Sequence, residues 1–125
     1  MNKRILILDD NRAILDVVTE ALVYEQFDVL DISLAGQLFQ AIEDFLPDLI
    51  LLDYRLADAN GVDLCSRLKA TPQYRHIPVI IFSAYVDPGE ILLAECEGYL
   101  YKPFDLAALF SAVRNLLPAE KELAP

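Results

Sequence analysis

Several short apolar or aromatic runs in this chain end on side chains that can do chemistry. Arg4–Leu8 (RILIL) runs into Asp9 and Asp10, Leu49–Leu52 into Asp53, Val79–Phe82 into Ser83, and Tyr99–Tyr101 into Lys102. Carboxylates brought together repel one another and raise each other's pKa unless a cation intervenes. A donor set made only of oxygen, with no His or Cys in it, favours Mg²⁺ or a similarly hard ion such as Mn²⁺ over zinc. Lys102 adds a compact positive charge and Ser83 a neutral donor. With a metal, this group would surround a phosphoryl moiety on several sides. Asp53 is then the natural nucleophile, because a carboxylate can form an aspartyl phosphate. Each residue alone has a plainer reading: a capped helix start at Asp9-Asp10, a polar strand end at Asp53, a solvated lysine at Lys102. The recurrence of the pattern at successive strand ends argues for a site.

For these ends to meet, the runs must be neighbouring parallel strands that carry their chemistry at the carboxyl edge. The Leu49–Leu52 run suits a strand buried on both faces, as in a parallel sheet covered by helices. Pro47 bounds it in front, and Asn60-Gly61 marks the turn into the next helix. After Arg4–Leu8, either Asn11 or Asp10 can cap a first helix with Ile14, Val17, Val18, Ala21 and Leu22 at helical spacing. Phe27–Ile32 reads as a second strand, and Asp28 and Asp31 mark it as an edge. Ser33 is positioned to cap a second helix, whose stripe is Leu38, Ala41, Ile42 and Phe45. Gly61–Ala70 forms a third helix, closed by Thr71-Pro72, and Pro78 introduces Val79–Phe82. Asp87-Pro88-Gly89-Glu90 offers an Asp cap, Pro at the first helical position and Glu three residues after the cap. That fourth helix is short, ending at Gly98 within about three turns. Asp105 caps the last helix, with Leu106, Leu109, Phe110, Val113 and Leu116 on its buried face.

Strands alternating with helices, without internal repeats, give an α/β three-layer sandwich around a parallel five-stranded sheet. Right-handed crossovers restrict the topology, and the flavodoxin-like (βα)5 order 2-1-3-4-5 fits an edge strand 2. At 125 residues this is a single domain over 1–117, followed by a polar tail or linker over 118–125 (PAEKELAP). The net charge of −10 argues against direct binding to nucleic acid or anionic membrane surfaces. It suits divalent cations and basic protein patches. The apolar runs are strand-sized and no basic-then-apolar leader opens the chain, so a cytoplasmic location without a membrane segment is expected. Cys65 reads as a buried thiol among Leu64 and Leu68, and His76 as a loop residue with no ligand pattern.

The chain resembles the receiver domain of bacterial two-component response regulators over Arg4 to about Leu117. The matching motifs are ILILDD at the first strand, LILLDYRL with Asn60-Gly61 at the third, FSA at the fourth and YLYKPF at the fifth. The resemblance implies a signalling domain in which Asp53 accepts phosphate from a histidine kinase or phosphotransfer protein, by self-catalysed transfer and dephosphorylation. It implies Mg²⁺ held by Asp9, Asp10, Asp53 and the backbone carbonyl of Arg55. Ser83 and Lys102 would contact the phosphoryl oxygens, and Tyr99 would be the switch aromatic that moves with Ser83. It also implies a cis bond before Pro103, an output face built from the fourth helix, fifth strand and last helix, and a monomer or a phosphorylation-dependent dimer. Output passes to a protein partner or an attached domain.

Departures from the family pattern carry expectations too. Ala57 stands where the family often has proline, which is expected to loosen the loop after Asp53. The stretch from Ser83 to Lys102 is about one helical turn short, and the shortfall falls in the fourth helix. Bulky Arg55 and Tyr85 flank Asp53 and are expected to shield its phosphate from water. A phosphatase of the haloacid dehalogenase type would need an acid where Arg55 stands. A flavin module would need a Ser/Thr/Gly loop where Asp9-Asp10 stand. The remaining alternative is a receiver-like interaction module that works without phosphorylation.

Overall fold

Every apolar run becomes a strand of one parallel sheet in the computed structural model, which describes residues 2–83, 95–102 and 104–117. The elements are β1 (Arg4–Leu8), α1 (Arg12–Tyr24), β2 (Asp28–Ile32), a 3-10 turn (Ala35–Gln37) leading into α2 (Leu38–Phe45), β3 (Leu49–Asp53), α3 (Gly61–Ala70), β4 (Val79–Ser83), β5 (Gly98–Tyr101) and α4 (Leu106–Leu116). The strand order is β2-β1-β3-β4-β5 and every pairing is parallel, the expected doubly wound arrangement.

Strand alternation divides the core in two. Ile5, Ile7, Leu49, Leu51, Ile80 and Phe82 face Leu15, Val18 and Leu22 of α1 and Leu109 and Val113 of α4. The intervening residues Leu6, Leu8, Ile50, Leu52, Val79 and Ile81 face α2 and α3. β3 and β4 are buried at every position, whereas β2 is part-exposed throughout, as an edge should be. Each fully buried Leu or Ile contributes about 1.5–3 kcal/mol of transfer free energy, so the central strands are held by packing as much as by the ladder.

Helix starts follow the sequence with one exception. Asn11 accepts from the Ile14 N–H, Asn60 from those of Val62 and Asp63, and Asp105 from that of Ala108. Ser33 does not cap α2. The chain enters that helix through the 3-10 turn, and the Asp58 carboxylate accepts from the amides of Ala35 and Gly36 instead.

Two helix faces are also corrected. Val17 is 59% exposed while Leu15 takes the buried position of α1, and Leu106 stands 45% exposed at the start of α4. In both helices the apolar residues outnumber the positions that can face the sheet, so part of the stripe is left in solvent. The helix read from Asp87 lies outside the described residues, as do Tyr85, Pro103 and the 118–125 tail. It does not extend to Gly98: residues 95–97 are non-helical and Gly98 opens β5.

A buried lysine closes the lower end of the sheet. Lys69 donates to the carbonyls of Arg75 (3.1 Å) and Ile77 (2.8 Å) and to Glu97 (2.7 Å), whose other oxygen accepts the Val79 N–H. α3 is thereby tied to the starts of β4 and β5. Cys65 is fully buried, and burial pushes its thiol up to about 12, so it is an inert core group. His76 is exposed in a turn. Among the described residues, no helix is long and apolar enough to cross a membrane.

Candidate functional site

The strand order reverses between β1 and β3, and such a switch point opens a crevice above the strand ends. Leu8 and Leu52 are register partners, so the next residues, Asp9 and Asp53, stand side by side at the crest. Asp9, Asp10 and Asp53 each offer a carboxylate oxygen, and these oxygens lie within 4.8 Å of one another. Asp9 is wholly buried and Asp53 nearly so, while Asp10 is exposed.

Lys102 reaches this group from the far side of β4. Its backbone N–H donates to the Ser83 carbonyl at 2.7 Å, which fixes the start of the side chain beside the end of β4. The ammonium lies 4.7 Å from the centre of the Phe82 ring. It donates to Asp9 Oδ2 at 2.9 Å and to Asp53 Oδ1 at 3.4 Å. The other oxygen of Asp9 accepts the Asn11 N–H at 2.9 Å. A buried carboxylate needs such partners, because desolvation otherwise costs several kcal/mol.

Asp53 is the electrostatically uneasy member. Burial, and then the Asp9 carboxylate beside it, raise its pKa from 3.8 to about 6, against the opposing pull of Lys102. A carboxylate held in this way gains from a further cation. The donors are all oxygen, clustered and short of positive charge, so the set fits a hard divalent ion.

The loop after Asp53 is braced along its length. Tyr54 donates to the Phe82 carbonyl at 3.1 Å and accepts the Gly61 N–H at 2.8 Å. Arg55 and Asn60 form an antiparallel bridge, and Leu56 donates to the Ala59 carbonyl at 3.0 Å. The loop without proline at Ala57 is therefore closed by its own backbone.

Gly61 is required by a close approach: a Cβ built there would lie 2.2 Å from the Asp53 carbonyl oxygen. Backbone cannot give way as a flexible side chain can. Gly61→Ala is expected to cost about 3 kcal/mol in urea unfolding and to shift the backbone amide resonances of Asp53 and Tyr54. An unchanged unfolding midpoint would contradict this packing.

The remaining expected residues are distributed around this centre. Ser83 is buried at the end of β4. Tyr99 packs edge-on against Tyr101, with ring centres 4.6 Å apart, and its buried hydroxyl has no hydrogen-bond partner among the described residues. Burial, and then Tyr101, push that hydroxyl up to about 12. Arg55 is exposed, with its guanidinium 5.7 Å from the centre of the Tyr54 ring. Asp58 was not anticipated. Its partners lie 22 and 23 residues earlier in the chain, and no local pattern announces such a contact.

The model of the response regulator receiver domain family matches residues 5–114. This chain is a receiver domain of that family. It is 32% identical over 120 residues to the DNA-binding response regulator MtrA of Mycolicibacterium paratuberculosis, which covers 94% of this chain and 52% of MtrA. The receiver thus spans about half the length of that relative. A solved receiver domain protein from Methanospirillum hungatei superposes with a TM-score of 0.85 at 31% identity, covering 98% of this chain and 99% of its own. The receiver domain of the sensor histidine kinase PA1611 from Pseudomonas aeruginosa has a TM-score of 0.85 at 25% identity, over 95% of this chain and all of its own. In that structure a magnesium ion is coordinated in the active site cleft.

Proposed function

We propose that this receiver takes a phosphoryl group onto Asp53, in a Mg²⁺-dependent reaction, from the phosphohistidine of a histidine kinase or phosphotransfer protein in the cytoplasm. The observation that carries the reading is the convergence of the Asp9, Asp10 and Asp53 carboxylates with the Lys102 ammonium at one buried crest. Asp9, Asp10, Asp53 and the Arg55 backbone carbonyl would hold the metal. When bound, it would neutralise charge that builds on the transferring phosphoryl oxygens.

The chain's own residues do the rest. An oxygen of ionised Asp53 attacks phosphorus as the P–N bond to the donor imidazole breaks, and the imidazole leaves with the bonding pair and takes up a proton. Lys102 screens the carboxylates and presents its charge to the incoming group, and Ser83 presents a neutral donor from β4. The same cluster, with water as nucleophile, carries out the self-catalysed dephosphorylation, and Arg55 and Tyr85 shield the product from that water. A phosphoryl group on Asp53 draws Ser83 toward it. Tyr99, the switch aromatic on neighbouring β5, moves with Ser83. The readout is a change in the β5–α4 face toward a protein partner or an attached output domain.

The donor protein must also cover ground beside the crest. A groove of about 530 Å³ between α1 and Phe104 is lined by Ala13, Ile14, Val17 and Val18 and ends at Lys102. The exposed Val17 that is wasted on the core is used here, against an apolar helix of the donor. Val17→Asp is expected to slow transfer from the cognate kinase at least about tenfold while leaving uptake from acetyl phosphate unchanged. Equal loss from both donors would remove the groove from the interface.

The reading as a whole is tested by intact mass after incubation with acetyl phosphate. A gain of one phosphoryl group that requires Mg²⁺ and is absent from Asp53→Asn supports it. No gain, where a known receiver is modified in parallel, overturns it.

A further inference from the structure

Asp58 lies outside the carboxylate cluster and joins the loop that follows Asp53 to the turn that opens α2. The loop from Tyr54 to Asn60 carries the Arg55 carbonyl, which is assigned above to the metal. Within the loop the backbone is closed by the Gly61–Tyr54 and Leu56–Ala59 bonds and by the Arg55–Asn60 bridge. Its middle is held by a contact outside the loop: Asp58 Oδ1 accepts the Ala35 N–H at 3.2 Å and Oδ2 accepts the Gly36 N–H at 3.4 Å. Those amides open the 3-10 turn that leads into α2, and the residue at its cap, Leu34, supplies no side-chain acceptor. Free N-terminal amides of a helix need an acceptor, and a carboxylate is the strongest one a side chain offers there. One side chain thus satisfies the start of α2 and fixes the loop across a cleft that Phe39 and Arg67 also line.

We propose that Asp58 is a positioning residue for the metal: by anchoring its loop to the Ala35–Gly36 amides, it holds the Arg55 carbonyl in place before Mg²⁺ arrives. This rests on the reading of the crest as a Mg²⁺ and phosphoryl site. The physical basis is population. A loop that is competent only part of the time lowers apparent affinity by that fraction, and metal binding must then order it. Asp58 is exposed, so its bonds compete with water and the effect is bounded.

The test uses Asp58→Ala and Asp58→Asn beside the wild type, with Mg²⁺ alone as the probe in an amide-resonance titration. Asp58→Ala is expected to weaken the Mg²⁺ dissociation constant about fivefold, equivalent to ~1 kcal/mol. In Mg²⁺-free protein it should speed hydrogen exchange at Ala35, Gly36 and Leu56. Asp58→Asn keeps one acceptor oxygen and should fall between the two. Uptake from acetyl phosphate should show the same split, slowed at low Mg²⁺ and restored to within about twofold at saturation. A residue that only supports the fold would lower the unfolding midpoint without this split. An unchanged dissociation constant in Asp58→Ala, or equal slowing at low and saturating Mg²⁺, overturns the proposal. If the wild type itself binds no Mg²⁺, the underlying site reading fails instead, and the exchange data still report whether the anchor exists.

Discussion

Replacing Asp53 by Asn is expected to abolish phosphoryl uptake and, in Mg²⁺-free buffer at neutral pH, to stabilise the fold by about 2–3 kcal/mol. The loss of uptake follows from removing the nucleophile. The gain in stability follows from linkage. Burial and Asp9 raise the folded pKa from 3.8 to about 6, so the folded state binds this proton more tightly than the unfolded chain does. The associated stability is fully present below the ordinary carboxyl value and is lost as pH climbs through the folded value. At pH 7 both states are ionised and the whole difference counts against the native protein. Asn has nearly the same shape, keeps an oxygen for Lys102 and cannot ionise. Urea unfolding of both proteins across the acid range checks this: the two should coincide below about pH 4 and diverge as pH rises. Equal stability at pH 7 would mean that Asp53 is not strained. The same titration sets proton against metal, so Mg²⁺ affinity should fall as pH drops below the folded pKa.

Lys102→Met is expected to have the opposite sign. Lys102 neutralises a fully buried Asp9 at 2.9 Å and reaches Asp53 at 3.4 Å. Removing one partner of a buried pair leaves an uncompensated charge, at a cost of about 3–5 kcal/mol. Met keeps an apolar stem against Phe82, so the loss reports charge more than packing. The deficit should shrink as Mg²⁺ is added, because a bound cation stabilises only the folded state and now meets no competing ammonium. Mg²⁺ should therefore bind this variant more tightly than the wild type. Uptake at saturating Mg²⁺ should nonetheless drop by about two orders of magnitude, since a fixed charge at the transferring group is gone. Thermal melts with and without Mg²⁺, paired with initial rates, separate these effects. A variant as stable as the wild type without metal would sink this account of the crest.

Much of the architecture was legible because parallel central strands are buried on both faces. Leu49–Leu52 and Val79–Phe82 can occupy few other environments, and the residues after them then fall on one edge. The crest group was legible for the same reason: once the strands align, Asp9, Asp53, Ser83 and Lys102 have nowhere else to be. The amphipathic helices were less transparent. α1 carries apolar residues at 14, 15, 17, 18, 21 and 22, enough for overlapping stripes, and only contact with the sheet selects Leu15 over Val17. Ser33 has the right chemistry for a cap but stands two residues before a 3-10 turn, whose amides take a carboxylate from another loop. That partnership is tertiary, and local propensity carries no trace of it.

The Lys102–Asp9 pair spans 93 residues of chain, and Lys102 lies 49 residues beyond Asp53. At ribosomal rates of about 5–20 residues per second, Asp53 is therefore made several seconds before the lysine that completes its surroundings. Until β5 docks against β4, Asp53 lacks the ammonium that offsets both its burial and the Asp9 carboxylate beside it. If the proposed transfer to Asp53 holds, a nascent or truncated chain ending before Lys102 should take up phosphate poorly even though Asp53 is already synthesised. On that reading, competence to accept phosphate certifies that the chain has been made and folded through β5.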